Sequence, residues 1–358
     1  MRSLPRAAVT GAEAWIESLS PWPADGFGLD RMHALLEALG DPQLAYPAVH
    51  VVGTNGKSTA TRTIEALLLA DGLVVGSTTS PHVSGWSERI RSGGREADFA
   101  AAIDRVREAA ERVGATQFET LTAAALAEFA VADVDVAVVE AGLGGRHDAT
   151  NVLRAEVVVL TNVGLEHTDV LGDSVEEIAV EKLAVARGDS VVVLPDLRFA
   201  EYVPGRRVIV GGARAAAEAF AGHPIAATVE IALPGRLERR ELEIRDGAHN
   251  ADGAAWLVAR LPPAAYVVCA SILRDKDVGA MLATLATVGT RFVATQSSNA
   301  RALPAGELAE LAAPYFAEVA VVPDPVAAVA RAHELGEPVL VTGSLYLLAD
   351  LAAREAAR

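Results

Sequence analysis

Ten residues, HVVGTNGKST (His50–Thr59), restrict the fold more than any other part of this 358-residue chain. Val49–Val52 is a short apolar run, Gly53-Thr54-Asn55-Gly56 is a glycine-bounded loop, and STATRTIEALLLADG has the apolar spacing of a helix stopped by Gly72. Strand, glycine loop and helix in that order make an anion site, because the loop amides and the helix N-terminus point donors at one place. Lys57 is placed to reach the terminal phosphates of a nucleotide, with the hydroxyls of Ser58 and Thr59 beside it; the alternative is a tight turn with an incidental lysine. The usual phosphate-loop pattern also has an earlier glycine, where this chain has Val51.

The following segments extend an α/β pattern. Leu73–Gly76 reads as a second strand leading into STTSPHVSGWSER, and helices are expected around residues 97–113 and 118–131. VDVAVVEAGLGG and AEVVVLTNVGLEH are almost continuously apolar before they end in polar or glycine residues, as strands buried on both faces of a parallel sheet do. DSVEEIAVEKLAVARG has Ser174 and Glu177 at capping-box spacing and is expected to stay helical until just before Gly188. Strands near 190–194 and 207–210 and a short alanine-rich helix follow. Beyond the Pro-Gly of LPGR a second α/β unit is expected, with strands near 241–245, 265–270, 291–295, 318–322 and 338–342. The length favours two domains, and the hinge is placed close to Leu233.

Composition excludes several classes. A content of 51% hydrophobic and 22% charged residues describes a globular chain, and a net charge of −16 repels nucleic acid and anionic membranes. An anionic substrate therefore needs a local positive site. Cys269 is the only cysteine and lies in an apolar run, which suits an inert core thiol in a reducing compartment. The N-terminus lacks a continuous apolar region of the leader-peptide kind, so a cytoplasmic protein is expected.

Candidate chemical residues gather at predicted strand ends. Glu140 ends one strand; Glu166, His167 and Asp169 follow the next, and ligands of open parallel sheets bind at that edge. Carboxylate and imidazole next to nucleotide phosphates imply a divalent cation, most simply Mg²⁺. Taken alone, an acidic residue at a strand end is more often a solvated loop group or a cap. Lys182 lies within a helix beside Glu181, and by pattern alone it is a surface lysine. In RDGAHNADGA, Asp246, His249 and Asn250 lie between a strand and a helix, where Asp246 could serve only as a cap or belong to a nucleotide clamp.

Taken together, FGLDRMHALLEALGDPQ, HVVGTNGKST, TTSPHVSGWSERI, FETLTAAALAEFA, DVAVVEAGLGGRHDATNV, LTNVGLEHTDVLGDSVEEIAVEKLAVAR, LPGR, DGAHNADGA, RDKDVGAML and VTGSLYLLADL resemble, in the same order, the folylpolyglutamate synthase/dihydrofolate synthase family of the Mur ligase superfamily. The resemblance covers most of residues 26–198 and 233–351. It implies a Mur-ligase-like α/β fold: an N-terminal P-loop ATP- and pterin-binding domain with a mostly parallel sheet over residues 1–233, and a smaller Rossmann-like glutamate ligase domain over 234–358. The superfamily's shortened G-T-N-G-K loop accounts for Val51. The implied reaction uses ATP and Mg²⁺ to join dihydropteroate or a reduced folate to L-glutamate through an acyl phosphate, in a monomer.

By the same resemblance, Ser80, Glu140 and His167 would hold Mg²⁺, and Lys182 would be carbamylated and support a second metal, against its surface reading. Arg236, Asp246, His249 and Asn250 would contact the nucleotide, so that domain closure completes the site. The chain departs from the family in three places. Ser58 and Thr59 replace a Gly-Ser pair, which leaves open which hydroxyl faces the phosphates; Ala300 stands where proline is usual; and the stretch before LPGR lacks an adenine-holding segment. A Mur-type ligase for another acid and amine, or a non-catalytic nucleotide-binding homologue, are the competing readings.

Overall fold

The apolar runs pair into two sheets in a computed structural model that describes residues 11–23, 26–165 and 167–356. The chain divides into two units: one runs to Ile231 without Val83–Gly85, and the other takes Val83–Gly85 and Ala232–Arg358.

The first unit holds β1 (Ala48–Val52), β2 (Val75–Thr78), β3 (Ile90–Ser92), β4 (Arg95–Glu96), β5 (Val136–Glu140), β6 (Ala155–Leu160), β7 (Val191–Leu194) and β8 (Arg207–Val210), in the order β4-β3-β2-β5-β1-β6-β7-β8. From β2 to β8 every pairing is parallel, whereas β3 and β4 add an antiparallel margin. Successive side chains of a strand point to opposite faces, so burial on both faces demands apolar residues throughout. In β5, Ala137 and Val139 pack under the helices Phe99–Val113 and Gln117–Val131. Val136 and Val138 pack on the other face with Ile64, Leu67 and Leu68 of the helix Lys57–Ala70.

The second unit contains β9 (Glu238–Arg239), β10 (Glu243–Arg245), β11 (Val267–Ala270), β12 (Arg291–Ala294), β13 (Glu318–Val321) and β14 (Val339–Thr342), in the order β13-β12-β11-β14-β10-β9. Only β9 runs antiparallel to its neighbour among these strands. Cys269 on β11 is fully buried, and burial pushes its thiol up to about 12, as suits a core residue.

Three local expectations need correction. The second strand starts at Val75 rather than Leu73, because Leu73 still closes the preceding helix through a bond to the Leu68 carbonyl, and its polar end, Ser77–Thr78, stays in the sheet. Ser77 is fully buried there because Arg62 donates to its hydroxyl at 2.6 Å. The helix begun at Ser174 stops at Leu183, and Val185 turns inward to join the core under β6 and β7. Its capping box is half formed. Ser174 accepts from the Glu177 amide, but the Glu177 carboxylate accepts from Asp173.

Candidate active site

The loop Gly53–Gly56 leaves β1 in a conformation that its glycines permit. Gly53 has φ +147°, and a Cβ there would fall on the Thr161 hydroxyl; Gly56 has φ +80° and starts the 14-residue helix Lys57–Ala70. A second loop, after β6, holds the first. The Asn55 amide donates to the Asn162 side chain at 2.7 Å, Thr161 Oγ1 donates to the Asn55 carbonyl at 2.7 Å, and the Thr54 amide donates to the Asn162 carbonyl at 3.0 Å. Lys57 Nζ lies over the loop, donating to the carbonyls of Gly53 at 3.0 Å and Thr54 at 3.2 Å. Val51 is strand core, fully buried. Thr161 and Asn162 escaped the sequence reading, since nothing in a TN dipeptide distinguishes a clamp from a strand end.

Glu140 ends β5 beside Val51 and is 3% exposed. Its Oε1 accepts from Ser58 Oγ at 3.1 Å and its Oε2 from the Ser80 amide at 3.1 Å. Ser58 is therefore the hydroxyl turned toward the carboxylate, while Thr59 is exposed. Lys182 is 1% exposed, and its Nζ donates to the Gly53 carbonyl at 3.0 Å, so the surface reading from helical pattern fails. The side chain is buried because its helix packs against the glycine loop after β5: a Cβ on Gly145 would meet the Lys182 and Glu181 backbone.

His167 is half-buried in the left-handed region (φ 45°), and its carbonyl accepts from Val170 and Leu171 at the start of the short helix Thr168–Leu171. Asp169 is exposed, and Glu166 lies outside the described residues. Among the described residues no three His, Cys, Asp or Glu side chains form a cation cage. A hard cation that takes one or two carboxylates and completes its shell with phosphate oxygens and water needs no such cage, and the oxygens of Glu140 and Ser58 at the foot of an anion loop fit Mg²⁺, with Ser80 tied to the same carboxylate through its amide.

Thr79, Ser80, Arg89, Phe118, Thr122 and Glu140 are among the residues that line a pocket next to this carboxylate. Buried polar networks fix its walls. Arg62, 6% exposed, donates to Glu65 Oε2 (3.0 Å), Ser77 Oγ (2.6 Å), Thr79 Oγ1 (3.3 Å) and the Glu88 carbonyl (2.6 Å), and Arg91 donates to the other oxygen of Glu65 at 3.1 Å. On the opposite side, His50 Nε2 meets Thr150 Oγ1 at 2.8 Å, and Thr150 donates to buried Asp148. Burial, aided by the charge of Arg187, pushes His50 down to about 3, whereas burial pushes the Asp148 carboxyl up against its hydrogen bonds.

In the second unit, Asp246 follows β10 and is buried, its oxygens accepting from the amides of Leu237 and Ala248 at 2.8 Å each. Burial raises its pKa, and these bonds and the charge of Arg236 oppose the rise. The cap of the helix Ala251–Val258 is Asn250, which accepts from the Gly253 amide at 2.7 Å. Asp246 is thus no helix cap. Arg236 donates to the Gly235 carbonyl at 3.1 Å, and His249 Nδ1 lies 2.8 Å from the Gly247 carbonyl.

Residues 51–202 match the Mur ligase middle domain. Over 82% of this chain and 80% of its own length, the dihydrofolate synthase/folylpolyglutamate synthase of Mycobacterium tuberculosis is 33% identical; the folylpolyglutamate synthase of Lacticaseibacillus casei is 31% identical over 88% and 92%. The first alignment spans 390 positions, more than the whole chain has, so that relative carries inserted residues without counterpart here. Among solved structures, M. tuberculosis folylpolyglutamate synthase complexed with ADP superposes with a TM-score of 0.86 at 30% identity, covering 98% of each chain. A bifunctional folylpolyglutamate synthase/dihydrofolate synthase with Mn, AMPPNP and L-glutamate bound gives 0.82 at 29% identity, covering 99% of this chain and 100% of that one.

Proposed function

The chain belongs to the dihydrofolate synthase/folylpolyglutamate synthase family, and from that premise we propose how its residues divide the work. It is an ATP-dependent ligase that forms an amide between a folate-type carboxylate and the amine of L-glutamate. ATP and a divalent cation, Mg²⁺ in the cell, are its cofactors.

The single observation that carries the assignment of residues is the position of Glu140, held between Ser58 of the nucleotide helix and the Ser80 amide of the pocket wall. A carboxylate is a poor electrophile, so the γ-phosphoryl group must first pass to it, and glutamate's amine then displaces phosphate from the acyl phosphate. Bound there, the cation would neutralise charge that develops on the phosphoryl oxygens. The glycine loop and the N-terminus of the helix Lys57–Ala70 hold the phosphates, and Lys57 swings from the loop carbonyls to the terminal phosphate. Glu140, Ser80 and His167 are the proposed cation holders. Lys182 is the residue the resemblance assigns to a carbamate, and Arg236, Asp246, His249 and Asn250 are assigned to the nucleotide on resemblance alone.

The domain reading stays as 1–233 for ATP and pterin and 234–358 for glutamate ligation. The small-molecule substrates are dihydropteroate or a reduced folate and L-glutamate. We read the chain as a cytoplasmic monomer; a buried lone cysteine suits a reducing compartment, and among the described residues no helix is long and apolar enough to cross a membrane. A stable dimer in light scattering would overturn the monomer.

The test is phosphate release from ATP with Mg²⁺ and glutamate, comparing dihydropteroate, tetrahydrofolate and no pterin, with mass detection of product. Release coupled to a product one glutamate heavier is expected, and the pterin that supports it names the branch. Glutamate-independent release, or none with either pterin, would overturn the reading.

A further inference from the structure

The pocket beside Glu140 presents an electrostatic problem. The acid substrate must bring its own carboxylate next to a carboxylate that is 3% exposed, and like charges in a desolvated site repel. Among the residues lining that pocket, one carries a permanent positive charge, Arg89.

Arg89 is built in from four directions. Its carbonyl accepts from the Thr79 amide at 3.2 Å, and the next amide along, that of Ser80, donates to Glu140, so the backbone of Arg89 is tied one residue from the Glu140 contact. The carbonyl before it, that of Glu88, accepts from buried Arg62. Its Nε donates to His82 Nδ1 at 2.9 Å, and its Cζ stands 5.1 Å from the centre of the Trp86 ring. Those two supports are themselves fixed, with the His82 and Trp86 rings 4.4 Å apart and Trp86 stacked on Phe99 at 6.0 Å. A guanidinium immobilised in this way has lost its rotamer entropy before any ligand arrives, which favours planar recognition of a carboxylate.

We infer that Arg89 is the contact for the carboxylate of the acid substrate, and that His82 is its positioning residue, accepting from Nε to aim the guanidinium into the pocket beside Glu140. The inference rests on the ligase reading and adds to it the residue that admits an anion to an acidic pocket. The charge of Arg89 offsets that of Glu140 before activation and remains beside the acyl oxygen during it.

The test is steady-state kinetics of Arg89→Gln with the pterin acid and ATP varied separately. Loss of one charged hydrogen-bond partner should raise the KM for the acid by about ten- to a hundredfold, leaving the KM for ATP within about twofold. Arg89→Lys, which keeps the charge without the fork, should recover part of the loss. His82→Phe, which keeps a ring against Trp86 but removes the acceptor, should raise the acid KM in the same direction, and His82→Asn, which restores an acceptor atom near the Nδ1 position, should lower it again. Unchanged acid KM in Arg89→Gln, or equal losses for ATP and acid, overturns the assignment of Arg89; no recovery from His82→Phe to His82→Asn overturns the role of His82.

Equilibrium binding of dihydropteroate to the AMPPNP-loaded protein measures the same contact without turnover. Weaker binding in Arg89→Gln supports the contact even if wild type makes no glutamate adduct, and that second result would count against the reaction alone. Equal binding by wild type and variant overturns the contact.

Discussion

Lys182 Nζ donates to the Gly53 carbonyl at 3.0 Å, a buried helical ammonium bonded to the phosphate loop across 129 residues of sequence. A lysine on a solvated helix face would give mutants that lose little. This one is 1% exposed, so its removal leaves a cavity and takes away one of the two lysine donors to the Gly53 carbonyl, Lys57 being the other. Lys182→Ala is expected to lose most activity while remaining folded, with partial rescue by short carboxylic acids that stand in for a carbamate. Failure of rescue in a folded mutant, read by circular dichroism, would remove the carbamate role.

Lys57→Ala and Glu140→Ala should each reduce kcat by about 10²- to 10³-fold or more, because each removes charge from the phosphoryl-transfer site. Their costs to stability should differ. The Gly53 carbonyl that Lys57 bonds keeps Lys182 as a second donor, whereas Glu140 leaves the Ser80 amide and Ser58 hydroxyl without their acceptor, at about 1–3 kcal/mol for a buried group. Thermal unfolding should show a clearly lower Tm for Glu140→Ala only, and retained turnover in either variant would sink the site assignment.

Gly53→Ala tests the loop independently of charge. Its φ of +147° disfavours any L side chain, and the added methyl would land on Thr161 Oγ1, the donor that holds the Asn55 carbonyl. Nucleotide affinity, measured by titration calorimetry with ADP, should fall by at least about tenfold, in line with a strained backbone costing about 1–3 kcal/mol. Wild-type affinity would mean that the loop has an alternative path.

Stability should decline with acid through His50. Its folded pKa of about 3 lies below the ordinary value of 6.5, so the neutral ring is the folded form and the contribution is fully present above 6.5. Protonation favours the unfolded chain as pH falls from 6.5 toward 3, and stability is lost over that window. Denaturant unfolding at a series of pH values should show a shallower decline for His50→Gln, which keeps a polar partner for Thr150 without a titrating ring. An identical pH dependence in wild type and variant would refute this source.

The readability of the sequence followed sequence distance. β1 and β5 were legible because, His50 apart, both of their faces are apolar, and the run of each is closed by a residue that breaks the pattern, Gly53 or Glu140. The strand-end rule then placed Glu140 and the glycine loop at one sheet edge, which is where they lie. The Arg62 network was illegible because Arg62, Ser77, Thr79 and Glu88 meet only after the sheet forms, and each alone reads as an ordinary polar residue. Lys182 misled for a related reason, since helical periodicity reports a face, not what packs on it. At Asp246 and Asn250, two good capping types lay close together before one helix, and only the hydrogen bonds separate them.

The order of the first sheet also bears on how such a chain can diversify. β5, β1 and β6 each have neighbours on both sides, so the loops proposed to handle phosphate leave strands whose ends cannot shift without disturbing a ladder on either flank. Arg89 instead precedes β3, in the antiparallel margin of the sheet, where the turn Trp86–Arg89 and the strands β3 and β4 adjoin a single sheet neighbour, β2. Drift in that margin can reshape which acid is accepted while the transfer chemistry stays intact. A designer seeking a new acid specificity would therefore exchange residues Trp86–Glu96 as a cassette and leave the interior strands alone.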